Sequence, residues 1–154
     1  MLPLVNASVR ENSKTFVFTN ILPQIEANNG GPWLHLETHY REQAERHNQD
    51  VYIMAGGIYE GAPKTIGANH VAVPSATWKV AVFLEKGQKI TDIDASTRVV
   101  SIVVPNVVGA VERSQPFTKF RVTPKQIEKR AGVRFFAHLP PKVSETLRNK
   151  MDTA

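Results

Sequence analysis

The sequence predicts an α+β fold in one domain spanning residues 1–154, and three observations carry that prediction. Apolar runs of strand length, rich in β-branched and aromatic residues, recur at Thr15–Thr19, Asp50–Gly57, Thr77–Glu85 and Val99–Val104. Helical periodicity is confined to one segment from Trp33 to about His47 and to short segments after Thr123 and Pro141. The 154 residues are 42% hydrophobic and 21% charged, a globular composition that excludes wholesale disorder and collagen-like repeats. The absence of cysteine excludes a disulfide scaffold, a cysteine zinc site and thiol catalysis. No apolar run approaches the roughly 18 residues of a membrane span. Met1–Arg10 has neither the basic start nor the apolar stretch of a signal peptide, and the compartment stays open. The net charge of +5 suits a polyanionic partner but does not by itself decide for one.

The elements follow in order. Residues 1–14 are mixed and polar, and Thr15–Thr19 then alternates Phe16 and Phe18 against Thr15, Val17 and Thr19, as a strand does. Pro23, which cannot donate to a ladder, ends it. Asn28-Asn29-Gly30-Gly31-Pro32 reads as a loop whose glycines permit positive φ, with Pro32 suited to the first turn of a helix. In that helix Trp33, Leu36, Tyr40 and Ala44 share a face, and Glu37 and Arg41 form an i, i+4 acid-to-base pair on a neighbouring one. Asp50–Gly57 reads as a largely buried strand stopped by the Gly56-Gly57 turn, and residues 58–76 as a long loop with short strand pieces at most. Thr77–Glu85 and Val99–Val104 are further strands, the polar stretch between them leaving room for a short one around Lys89–Asp92. Thr123-Pro124-Lys125-Gln126 is a helix start, with Thr123 as cap, Pro124 at the first position and Gln126 completing a capping box; Gly132 stops the helix. A last amphipathic helix runs through Val143 and Leu147.

Most chemistry-bearing residues stand alone. His35 and His39 are spaced i, i+4 as a metal clamp would be, yet the segment reads His-Leu-Glu-Thr-His and lacks the glutamate position of a zinc peptidase, so two solvated histidines are the plainer reading. His47, His70 and His138 are isolated, and no nucleophile-elbow glycines surround Ser75 or Ser101. The informative stretch is 20–41, where Asn20, Gln24, Asn28, Asn29, Glu37 and Arg41 converge on one loop and the first turns of one helix. Amides also cluster in turns to satisfy local backbone groups.

An ordered set of segments carries more. Asn20-Ile21-Leu22-Pro23-Gln24, Asn29-Gly30-Gly31-Pro32-Trp33, Leu36-Glu37 and Arg41 are followed by Val51–Tyr59, Val73–Val80, Phe120–Thr123, Ile127–Gly132, Phe135-Phe136 and Leu139-Pro140. Together they resemble the DNA/RNA non-specific endonuclease family, sugar-nonspecific nucleases with a ββα-metal finger, over about residues 15–148. The resemblance implies a mixed or antiparallel sheet flanked by helices, and metal-dependent hydrolysis of phosphodiester bonds in DNA and RNA without sequence specificity. It implies one Mg2+, or another divalent cation such as Mn2+, held mainly by the side-chain oxygen of Asn29 and by water. A hard cation that keeps most of its water needs few protein ligands. Glu37 would orient the cation's water, Arg41 would contact phosphate, and Asn20 and Gln24 would support the site. Trp33 is read as core.

One departure matters. The family's general base is the histidine of an Asp-Arg-Gly-His tetrad just upstream of a short apolar, proline-containing stretch. Met1-Leu2-Pro3-Leu4 resembles that stretch, so the tetrad would fall before Met1. The resemblance therefore implies the C-terminal portion of an endonuclease domain, with the N-terminal strands and the base expected from a complementary segment in cis or on a second chain. Loss of a positioned base costs about 10²–10⁴-fold in rate. The alternative is a catalytically inactive nucleic-acid-binding or interaction module of the same fold. A homodimer stays open, and no membrane partner is expected.

Overall fold

A computed structural model describes residues 21–154; the expected strand Thr15–Thr19 and Asn20 lie outside the described residues. Its frame is a three-stranded antiparallel sheet of β1 (Gln49–Ile58), β4 (Ala76–Glu85) and β5 (Arg98–Pro105), in the order β1-β4-β5. A small hairpin of β2 (Thr65–Ile66) and β3 (Val71–Ala72) fills the connection from β1 to β4. Helix α1 (Leu34–Arg46) precedes the sheet in the chain, and α2 (Pro124–Ala131) and α3 (Pro141–Asn149) follow it.

Strand β4 is buried on both faces, with only Glu85 exposed, and its side chains sort the core into two clusters. Trp78, Val80, Val82 and Leu84 face Ile127 of α2 and Leu147 of α3. Ala81 and Phe83, with Val100, Ile102 and Val104 of β5, face Leu36 and Tyr40 of α1. The result is a helix–sheet–helix layering in which α1 has one face of the sheet and α2 and α3 the other. The α2 start is built as expected: the Thr123 hydroxyl accepts from the Gln126 N–H, the Gln126 side chain accepts from the Thr123 N–H at 2.8 Å, and Gly132 closes the helix at φ 68°. No helix among the described residues is long and apolar enough to cross a membrane.

Three expectations are corrected. Gly56-Gly57 does not stop β1, which runs on to Ile58; a Cβ on Gly56 would lie 2.7 Å from the Trp78 ring, so the residue is a gap for that indole. The strand is also not largely buried. Tyr52, Ile53 and Met54 are exposed, and burial along the strand is confined to its two ends. Around Lys89–Asp92 the chain forms a 3-10 turn rather than a strand, since the Asp92 carboxylate accepts the Lys89 N–H at 2.8 Å and curls the segment.

Candidate functional site

The segment 23–37 is fastened to the ends of β4 and β5 by side chains that sequence reasoning did not single out. Asn106, just past β5, accepts the Ile25 N–H at 2.9 Å and donates to the carbonyls of Pro23 and Pro74, also at 2.9 Å. With three bonds from one buried amide, the approach to α1 has a fixed height above the sheet. Gln24 donates to the Thr77 hydroxyl at 3.4 Å, a long bond in a half-buried setting.

The two adjacent asparagines have opposite surroundings. Asn28 is fully buried and donates to the Thr77 hydroxyl at 3.0 Å. Its Oδ1 has no hydrogen-bond partner among the described residues. Asn29 is exposed, and its side chain makes no hydrogen bond to the described residues. The expected loop is instead helical at both ends: a turn over Glu26–Asn28 passes through a wide, kinked turn over Asn29–Trp33 into α1. Neither glycine in it takes a positive φ. They are required by contact: a Cβ on Gly31 would lie 2.9 Å from the Arg113 backbone, and one on Gly30 would lie 3.1 Å from its guanidinium. Arg113 in turn donates to the Gly30 carbonyl at 3.1 Å and pairs with Glu26 at 2.9 Å.

Glu37 does not pair with Arg41. Its Oε1 lies 2.5 Å from Nζ of Lys79, which rises from β4 into the layer between sheet and α1. The same ammonium sits 3.9 Å from the ring centroid of Trp33, which is buried in the core as expected. Burial pulls the pKa of Lys79 down to about 8, with the charge and hydrogen bond of Glu37 opposing. Arg41 is half-buried and makes no ion pair among the described residues.

The histidines give no clamp. The His35 ring nitrogen Nδ1 lies 3.1 Å from the Gln115 carbonyl, while the His39 ring packs against Phe117 and Phe83. Burial lowers the pKa of His39, reinforced by the nearby charge of Arg98. Among the described residues no three His, Asp or Glu side chains converge as a metal cluster would. A cavity of about 280 Å³, with Lys119, Arg121 and Arg130 in its lining, lies against Ala76 and Val103 on the α2 face of the sheet. Arg121 is paired there with Asp152, and Arg130 with Glu60.

The profile of DNA/RNA non-specific endonucleases matches residues 2–142. The chain belongs to that family. It is 30% identical over 146 residues to a nuclease of Nostoc sp., covering 94% of this chain and 51% of the relative. It is 34% identical over 140 residues to the mitochondrial endonuclease G of Caenorhabditis elegans, covering 84% of this chain and 42% of that one. The crystal structure of the EndoG/EndoGI complex superposes with a TM-score of 0.67 at 29% identity, covering 84% of this chain and 54% of that chain. The chain thus spans about half the length of the curated relatives it matches, and its α+β architecture is the ββα-metal nuclease fold.

If Asn29 and Glu37 were to share a cation, the two donors would suit a hydrated hard cation better than a stripped one. One exposed amide oxygen and one carboxylate already sharing an oxygen with an ammonium cannot replace a full hydration shell. Sequence reasoning missed Lys79, Asn106 and Arg113. Only Lys79 carried a signal, as the lone charge inside the apolar run Trp78–Leu84.

Proposed function

We propose that this chain forms the cation-holding part of a nuclease site that hydrolyses phosphodiester bonds in DNA and RNA without sequence specificity. The observation that carries the reading is the pairing of a buried, fastened Asn28 with an exposed Asn29, which commits the second amide to the solvent side of a rigid turn. Mg2+ (or Mn2+) bound there would supply charge stabilisation at the scissile phosphate and the leaving oxygen. Asn29 offers it a neutral oxygen ligand. Glu37, held at Oε1, has Oε2 available to orient water. Arg41 has a guanidinium fork with no ion-pair partner among the described residues to place on a phosphate. Gln24 and Asn20 support the segment. The general base comes from a complementary segment carrying Asp-Arg-Gly-His, in cis or on a second chain.

The test is Asn29→Ala in the protein completed with that segment. Mg2+-dependent cleavage of plasmid DNA and of RNA is expected to disappear, and full activity would reject the assignment. The 154-residue chain alone is expected to cleave slower than the completed protein by about 10²–10⁴-fold, the usual worth of a positioned base. Robust plasmid degradation by the pure chain would overturn the need for a complement.

A further inference from the structure

Thr77 and Lys79 are alternate residues of β4 and so point to the same side of the sheet, towards α1. Thr77 takes the amide of Asn28, while Lys79 takes the carboxylate of Glu37 and the ring face of Trp33. These two strand residues therefore bracket Asn29 from both sides in the chain, one residue before it and four and eight residues after it. A residue only 4% exposed within a central strand is an expensive place for an ammonium ion. A buried pair of this kind is weak evidence for stability, because well-packed apolar residues of similar size hold such positions as well or better. The charge thus has to be explained by what it does to the carboxylate.

The contact is one-sided. Lys79 engages Oε1 of Glu37, and Oε2 has no hydrogen-bond partner among the described residues. A lysine is a compact donor that fixes one oxygen, unlike an arginine fork that would occupy both. We propose that Lys79 is a positioning residue for the cation, locking Glu37 by one oxygen so that the other faces the hydration shell of an ion on Asn29. This rests on the reading of Asn29 as the cation's ligand, and the experiment keeps the two apart.

Mn2+ is titrated into the 154-residue chain and its free concentration read by electron paramagnetic resonance, for the parent chain and for Asn29→Ala, Glu37→Gln, Lys79→Met and the double variant Glu37→Gln/Lys79→Met. Lys79→Met is expected to weaken Mn2+ binding about tenfold, the scale on which partners of the residues around a metal act. The double variant is expected to bind like Glu37→Gln alone, since Lys79 works through that carboxylate. Binding by Lys79→Met within twofold of the parent, while Asn29→Ala loses it, overturns the role of Lys79 and leaves the site reading standing. Unchanged binding by Asn29→Ala overturns the site reading itself. Additive losses in the double variant would make Lys79 a structural residue and end the proposal. Circular dichroism melts accompany each variant. If Lys79→Met alone does not fold, recovery of folding with Glu37→Gln-like affinity in the double variant supports the coupling, and a further loss of affinity or a failure to fold overturns it.

Discussion

At Gly31 the backbone of Arg113 comes so near that even a methyl group would collide, with a Cβ placed 2.9 Å from its Cα and carbonyl oxygen. Gly31→Ala is therefore expected to cost about 1–3 kcal/mol in urea unfolding, the usual scale of overpacking, and to push the 106–121 loop away from the Asn29 turn. Thr77 is the matching point on the sheet. Fully buried, it is the hydroxyl that accepts from Asn28 and Gln24. Thr77→Val keeps the shape and leaves the Asn28 amide without its acceptor, so a loss of about 1–3 kcal/mol in the same measurement is expected. The sequence placed both asparagines in one cluster but could not divide their labour. Which of two neighbouring amides is buried depends on where β4 lies under the turn, a contact across 49 residues of chain.

Between elements, a closely hydrogen-bonded ion pair joins α2 and α3. Glu128 accepts from Arg148 Nε at 2.9 Å and Nη2 at 2.6 Å, and from the Phe135 N–H at 2.7 Å, with both charged side chains largely buried. Burial pushes the Glu128 carboxyl up, but the hydrogen bonds from Arg148 and the Phe135 backbone, with the charge of Arg148, outweigh it and hold the pKa below the ordinary value of 4.5. A carboxyl with a depressed folded-state pKa contributes stability that is present above 4.5 and is lost as pH falls through the lowered value. Thermal melts between pH 6 and 3 should therefore decline more gently in Glu128→Gln than in the parent chain, from a lower starting stability. An unchanged slope would count against the tie. The helices themselves were legible: capping box, proline and terminal glycine are local chemistry, and α2 begins and ends on the residues that predict it. Their mutual fastening was not, since it joins side chains 20 residues apart.

For the molecule as a whole, the feature with the widest consequence is β1. Tyr52, Ile53 and Met54 are 39%, 49% and 38% exposed on a strand whose outer edge is unpaired among the described residues. With these apolar side chains exposed side by side, the 154-residue chain is expected to self-associate with rising concentration in light scattering, and Ile53→Lys, which places a charge among them, to shift the onset to higher concentration. Concentration-independent mass in the parent chain would contradict this. The apolar run 50–57 announced burial, and among the described residues the middle of the strand stays exposed: composition records a preference, and the packing of other elements decides whether it is met.

The amino-acid sequence by itself determined the family, the order of the three long described strands and the helices around them, the start and stop of α2 and the residues around which a cation site is read, because each of these is written in local spacing and in ordered motifs. The tertiary structure alone decided that Glu37 reaches across to Lys79 instead of along its helix to Arg41. It also decided that the glycines serve close approach rather than positive φ, and that Asn106 and Arg113 hold the turn in place. The physical reason is the same in every case. A side chain's partner is fixed by which elements the hydrophobic core brings together, and contacts between residues tens of positions apart leave no period in the chain.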